Sequence, residues 1–166
     1  NDRTTDLFEG VWPITQEGVS YNSYLVVDQK KALVDLTKVT QEVPFLSQLH
    51  ELIEPSELDY IIVNHMEPDH TGAIRILRDL APQATILGTA KCVNMLSSFY
   101  GITEGVRAVA DGETLSLGEK TLKFVAVPFV HWPETMVTYE TTERVLFACD
   151  AFGGYGALRG AIFDDQ

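Results

Sequence analysis

The segment Asn64-His65-Met66-Glu67-Pro68-Asp69-His70 sets two imidazoles and two carboxylates within six consecutive positions, and the chain holds only four histidines in all. Each of these side chains is a ligand for a transition metal, nitrogen from histidine and oxygen from aspartate or glutamate. In an extended loop His65, Glu67 and Asp69 point to one side with period two, and His70 turns elsewhere. Such a loop addresses two neighbouring points, which suits a binuclear site. Carboxylates that converge without a cation repel one another, and a bound cation removes that cost. Pro68 stiffens the loop and holds Glu67 out of helical geometry. Asp69 suits the N-cap of the following helix, where its carboxylate accepts free amide hydrogens.

Two more candidates end apolar runs: His131 in Pro128-Phe129-Val130-His131-Trp132-Pro133-Glu134, and Asp150 in Leu146-Phe147-Ala148-Cys149-Asp150-Ala151. By itself His131 is a histidine packed on Trp132, and Asp150 a turn residue; beside the loop they extend a ligand set. His50 falls on an amphipathic helical stretch and is assigned to solvent.

These residues need a frame. Leu58–Asn64 has a continuous apolar centre, which predicts a strand buried on both faces. His65 follows it directly, and sites in α/β folds lie off the carboxyl ends of strands. Helical spacing predicts helices over Val43–Ile53, from Ala73 to Ala81 ahead of Pro82, and over Ala90–Tyr100, ended by Gly101. Further strands are predicted over Leu7–Trp12, Tyr21–Asp28, Lys31–Asp35, Ala84–Gly88, Val106–Ala110, Thr114–Leu117, Thr121–Val127, Met136–Glu140 and Val145–Cys149, with a polar turn at Asp28–Lys31. Strands and helices alternate in the middle and hairpin-like strands stand at both ends. The fold class is α/β, or a mixed sandwich with sheets covered by helices.

With 166 residues, 45% of them hydrophobic and 22% charged, the chain is expected to be one folded domain. It carries 24 acidic and 12 basic residues, the wrong balance for nucleic acid or an anionic membrane surface. No apolar run reaches the length of a membrane span, and the polar start carries no secretory signal, so a cytoplasmic protein is expected. Cys92 and Cys149 are too few for a disulfide framework and fit no zinc ribbon; both are read as reduced core thiols.

The ordered set His65-x-Glu67-x-Asp69-His70, His131 and Asp150 resembles the flavodiiron proteins (A-type flavoproteins) of the metallo-β-lactamase superfamily. Tyr21-Asn22-Ser23-Tyr24-Leu25, Val63-Asn64-His65, His131-Trp132-Pro133 and Asp150-Ala151-Phe152-Gly153 are similar to that family too, and the likeness runs from about Leu7 to Asp165. The resemblance implies a metallo-β-lactamase-like αββα sandwich that binds two iron ions. His65, Glu67 and His131 would hold iron 1, Asp69 and His70 iron 2, and Asp150 would bridge them. Family members reduce dioxygen to water, nitric oxide to nitrous oxide, or both. Their electrons come from FMN in a flavodoxin-like domain, usually that of a second subunit in a head-to-tail homodimer, fed by a rubredoxin-type donor. Zinc hydrolases of the superfamily carry histidine where this chain has Glu67, and a carboxylate there favours iron or manganese. Trp132, Phe129 and Phe152 are candidates for a dry wall around the gas.

The sequence departs from that pattern in extent. No histidine follows His131, whereas the family's second iron takes one well beyond the bridging aspartate, and no flavodoxin-like phosphate loop is present. Residues 1–166 are therefore expected to be the amino-terminal portion of the diiron domain, with the sandwich incomplete at its carboxyl-terminal end. Half a sandwich should expose apolar sheet and associate with its complement or a second subunit. Two other readings share the ligand set: a flavin-free diiron module that binds dioxygen as a sensor, and a zinc hydrolase.

Overall fold

Apolar residues that alternate along the central strands, and are apolar on both faces, require cover from both sides. The computed structural model describes residues 2, 7–8, 11–14, 16–154 and 156–157. A short hairpin of β1 (Leu7–Phe8) and β2 (Trp12–Pro13) comes first. The run expected as one strand over Leu7–Trp12 is thus two, because Leu7 pairs with Pro13 and the chain must reverse between them.

The main sheet has the spatial order β3 (Tyr24–Val27), β4 (Lys31–Val34), β5 (Tyr60–Ile62), β6 (Thr85–Gly88) and β7 (Val106–Ala108). β3 and β4 are antiparallel across the Asp28–Lys31 turn, and β4 to β7 are parallel. Parallel neighbours need crossover connections. Here α2 (Pro68–Thr71) and α3 (Ile74–Leu80) link β5 to β6, and α4 (Ala90–Tyr100) links β6 to β7, while α1 (Glu42–His50) lies between β4 and β5 in sequence. α4 has the expected bounds: the Thr89 hydroxyl accepts from the Cys92 amide at its start, and Gly101 closes it at φ +70°, a conformation glycine adopts without a Cβ penalty.

A second sheet, wholly antiparallel, has the order β11 (Val145–Phe147), β10 (Met136–Glu140), β9 (Thr121–Ala126) and β8 (Thr114–Ser116). The main sheet separates two cores by the period-two rule. Leu33, Ile61, Val63 and Ile86 pack with Leu49, Ile74, Leu77 and Leu96 of the helices. Ala32, Val34, Ile62 and Leu87 pack with Leu122, Phe124, Met136 and Phe147 of the second sheet. The layers are therefore helix, sheet, sheet: part of the metallo-β-lactamase-like sandwich. Among the described residues no helix follows Tyr100, and Val145 and Leu146 on the end strand β11 are nearly half exposed. No helix among these residues is long and apolar enough to cross a membrane.

Candidate metal centre

The ligand loop begins where β5 leaves the main sheet, and its exit is fixed by a buried polar knot. Asp35 ends β4 at φ 53°, a left-handed conformation that aspartate tolerates better than most residues. Its carboxylate accepts the Asn64 amide N–H at 2.8 Å and the Asn64 Nδ2 at 3.0 Å. Asn64 in turn donates to the Phe147 carbonyl at 3.3 Å, accepts the Thr138 hydroxyl at 2.7 Å, and its own carbonyl accepts the Met136 amide at 2.9 Å. One side chain thus ties the end of the main sheet to β10 and β11.

Beyond that knot, His65 is fully buried. Its Nε2 lies 3.1 Å from Glu67 Oε2, 3.1 Å from His131 Nε2 and 3.6 Å from Asp150 Oδ2. His131 Nε2 lies 3.2 Å from the same Glu67 oxygen and 3.4 Å from the same Asp150 oxygen. A second group adjoins the first: His70 Nε2 is 2.7 Å from Asp150 Oδ1 and 3.7 Å from Asp69 Oδ2. Asp150 therefore turns one oxygen to each group. The His131 and Asp150 side chains, about half exposed, form the solvent side. A cleft of about 40 Å³ opens beside the second group, lined by Tyr21, Asn22, Tyr24, Asp69, His70 and Asp150 among others.

The electrostatics show what the cluster demands. Burial pulls the His65 imidazole down, yet its hydrogen bonds with Glu134 and Glu67 push it up to about 9. Burial likewise opposes a charge on His70, yet its hydrogen bonds with Asp150 and with the Cys149 thiol push it up to about 12. Glu67 is lowered by its hydrogen bond with His65. Asp150 resists the upward push of burial and is lowered by His70. The carboxylates thus favour positive charge between them, and protons and metal ions compete for the same lone pairs. Glu134 Oε1 holds His65 Nδ1 at 2.8 Å, so the atom offered to the cluster is Nε2. Two nitrogens and two oxygens meet around one point, and one nitrogen and carboxylate oxygens around the other. That donor set fits two hard-to-borderline cations such as iron or manganese.

All six sequence-derived ligand candidates come together: His65, Glu67, His131 and Asp150 in one group, and Asp69, His70 and Asp150 in the other. Asp69 differs from expectation in its place on the helix. Glu67 occupies the N-cap position and Pro68 the first turn of α2, since proline lacks the N–H that a later position would need. Asp69 is thereby carried into the helix and away from the Glu67 direction. Trp132 packs edge-on against the His65 ring, with centroids 5.1 Å apart. Phe129 and Phe152 are 71% and 94% exposed among the described residues. His50 is exposed on α1 and pairs with Glu54 at 3.3 Å.

Three residues near the centre escaped sequence reasoning. Cys92 is a buried thiol as expected, but Cys149 is only partly buried, and its Sγ lies 3.8 Å from His70 Nδ1. Asp35 groups with His70 and Cys149. Its signal, an acid ending an apolar strand, is the one that marked Asp150. Glu134, wholly buried against His65, carried no signal beyond its nearness to His131.

A family model described as "ODP family beta lactamase" matches residues 19–165. A nitric oxide reductase of Moorella thermoacetica is 38% identical over 160 residues, which are 96% of this chain and 40% of that protein. The crystal structure of a Thermotoga maritima flavoprotein superposes with a TM-score of 0.88 at 38% identity, over 99% of this chain and 41% of that one. Rubredoxin oxygen:oxidoreductase from Desulfovibrio gigas superposes with a TM-score of 0.81 at 33% identity, over 87% and 36% respectively. The chain thus spans about two fifths of the length of these relatives. With the match running through both ligand groups and both sheets, the chain belongs to the ODP beta-lactamase family.

Proposed function

We propose that residues 1–166 are the diiron portion of a reductase for nitric oxide, dioxygen or both, fed with electrons from FMN held by a flavodoxin-like domain outside this chain. The observation that carries this reading is Asp150, whose two oxygens face the two ligand groups separately, Oδ2 toward His65 and His131 and Oδ1 toward His70. His65, Glu67 and His131 would hold the first iron and Asp69 and His70 the second, with Asp150 shared between them. Two irons held there would supply two electrons, enough to join two nitric oxide molecules as nitrous oxide, while reduction of dioxygen to water would take two more from the reduced FMN.

The chain's own residues orient and select. Burial of His65 behind Trp132 keeps the inner side of the centre from water. His131 and Asp150, on the solvent side, are where protons consumed by the reduction enter. Glu67 in place of a histidine speaks against a zinc hydrolase. A rubredoxin-type donor and a head-to-tail second subunit complete the electron path, and the acidic surface and reduced thiols suit the cytoplasm.

The test is elemental analysis after anaerobic reconstitution with ferrous iron, followed by nitric oxide and dioxygen consumption with a reduced flavodoxin or FMN donor. About two irons per chain and consumption of either gas are expected. Zinc retained in preference to iron, or iron-loaded chain inert toward both gases with reduced FMN present, overturns the reading.

A further inference from the structure

Glu134 lies three residues beyond His131 and is fully buried, an unusual place for a carboxylate. Its Oε1 accepts from His65 Nδ1 at 2.8 Å and from the Met66 amide at 2.9 Å, while its Oε2 has no hydrogen-bond partner. The backbone around it is pinned as well: the Glu134 carbonyl accepts the Thr89 hydroxyl at 2.8 Å. A glutamine would satisfy the same two donors without burying a charge, so packing alone does not explain the acid.

We propose that Glu134 is a positioning residue for metal binding: it fixes His65 with the proton on Nδ1, aims Nε2 at the cluster, and makes that nitrogen a stronger donor through its negative charge. A carboxylate behind a metal-bound histidine sets tautomer and ring angle and raises ligand basicity. Met66, next in sequence to His65, donates its amide to the same oxygen, so the carboxylate holds both the backbone and the ring of the first ligand. The inference rests on the diiron reading for the identity of the metal, though not for the tautomer.

Two variants separate charge from geometry. Glu134→Gln keeps an acceptor for His65 and Met66, and Glu134→Ala removes it. Ferrous affinity is read by competition with a chromophoric chelator, and the His65 ring protons by nitrogen-15 NMR of the zinc-loaded chain. Leu117→Ala, which trims a buried side chain beside the Asp28–Lys31 turn, at the opposite end of β4 from Asp35, controls for general loosening. The expected result is about a 10-fold loss of ferrous affinity in Glu134→Gln and about 100-fold in Glu134→Ala, with the Nδ1–H signal kept in the first and shifted or lost in the second. Leu117→Ala should leave both readouts near the parent values. If both Glu134 variants hold ferrous iron like the parent, or lose it no more than Leu117→Ala, the positioning role is overturned. Should the parent itself refuse iron, the diiron reading fails, and the zinc-loaded NMR signal alone still decides the role of Glu134.

Discussion

At the scale of single residues, the centre is a set of lone pairs waiting for positive charge, and this makes its pH behaviour depend on what supplies that charge. In the metal-free chain His65 is raised to about 9 from an unfolded value near 6.5. A raised histidine favours the folded state when protonated. Its contribution is therefore complete below about pH 6.5 and lost as pH climbs through about 9. His70, raised to about 12, extends the same trend upward. The chelator-treated chain should melt at progressively lower temperature between these limits. The iron-loaded chain should show the opposite slope at the acid end, because protons there displace metal. Melting curves of both forms at matched pH check the crossing. The ligand assignment is tested one residue at a time. Glu67→Gln replaces an anionic oxygen by a neutral amide and should lower bound iron from about two to about one per chain. His50→Ala, on the exposed face of α1, should leave the iron content unchanged in the same elemental analysis.

At the scale of elements, α2 has a single turn yet carries Asp69 and His70, so its position must be set by what it touches. Gly72 closes that turn in close approach to the segment after β4: an added Cβ would fall 2.3 Å from the Val39 nitrogen and 2.8 Å from the Lys38 carbonyl carbon. Both are backbone atoms and cannot swing aside. The Ala73 amide donates to the Thr37 carbonyl at 3.1 Å and the Leu36 amide to the His70 carbonyl at 3.0 Å, sealing the same contact. Gly72→Ala should cost about 1–3 kcal/mol in urea denaturation and should weaken the Asp69–His70 iron more than the other. An unchanged denaturation midpoint would show that α2 is free to move.

At the scale of the whole molecule, the centre exists only because two sheets meet. The main sheet delivers Asp35 from the end of β4 and the His65–His70 loop from the end of β5. The second sheet delivers His131 and Glu134 from the β9–β10 connection and Asp150 from beyond β11. Phe124 of β9, 1% exposed, fills the layer between them with Leu87, Met136 and Phe147. Phe124→Ala should cost about 3–5 kcal/mol by denaturant titration. It should also lower iron retention although Phe124 is not among the ligands, since the two ligand sources lose their common packing. Full iron retention at a reduced stability would mean that the loops hold the centre without the sheets.

Local pattern alone was enough for most of the frame and for the loop that carries four of the candidate donors. The apolar runs specified β4, β6, β9 and β10 to within a residue at each end and β5 to within two, and Thr89 and Gly101 bracket α4 in the sequence as they do in the fold. His65, Glu67, Asp69 and His70 announce themselves because four donors share one loop. Which group each donor joins followed from the family resemblance, and local pattern by itself could not say it. Pro68 turned Asp69 into α2, and the two oxygens of Asp150 acquire separate roles only when β11 is docked. Asp35 and Glu134 were invisible for the same reason: a carboxylate becomes a buried partner through residues far along the chain, 29 positions to Asn64 in one case and 69 to His65 in the other. Phe129 and Phe152, apolar in type, stand exposed among the described residues, which their type alone did not foretell. Hydrophobic period and turn chemistry act over a few residues and so are written in sequence. The convergence of donors at one point is set by the packing of two sheets, and only the tertiary structure decided it.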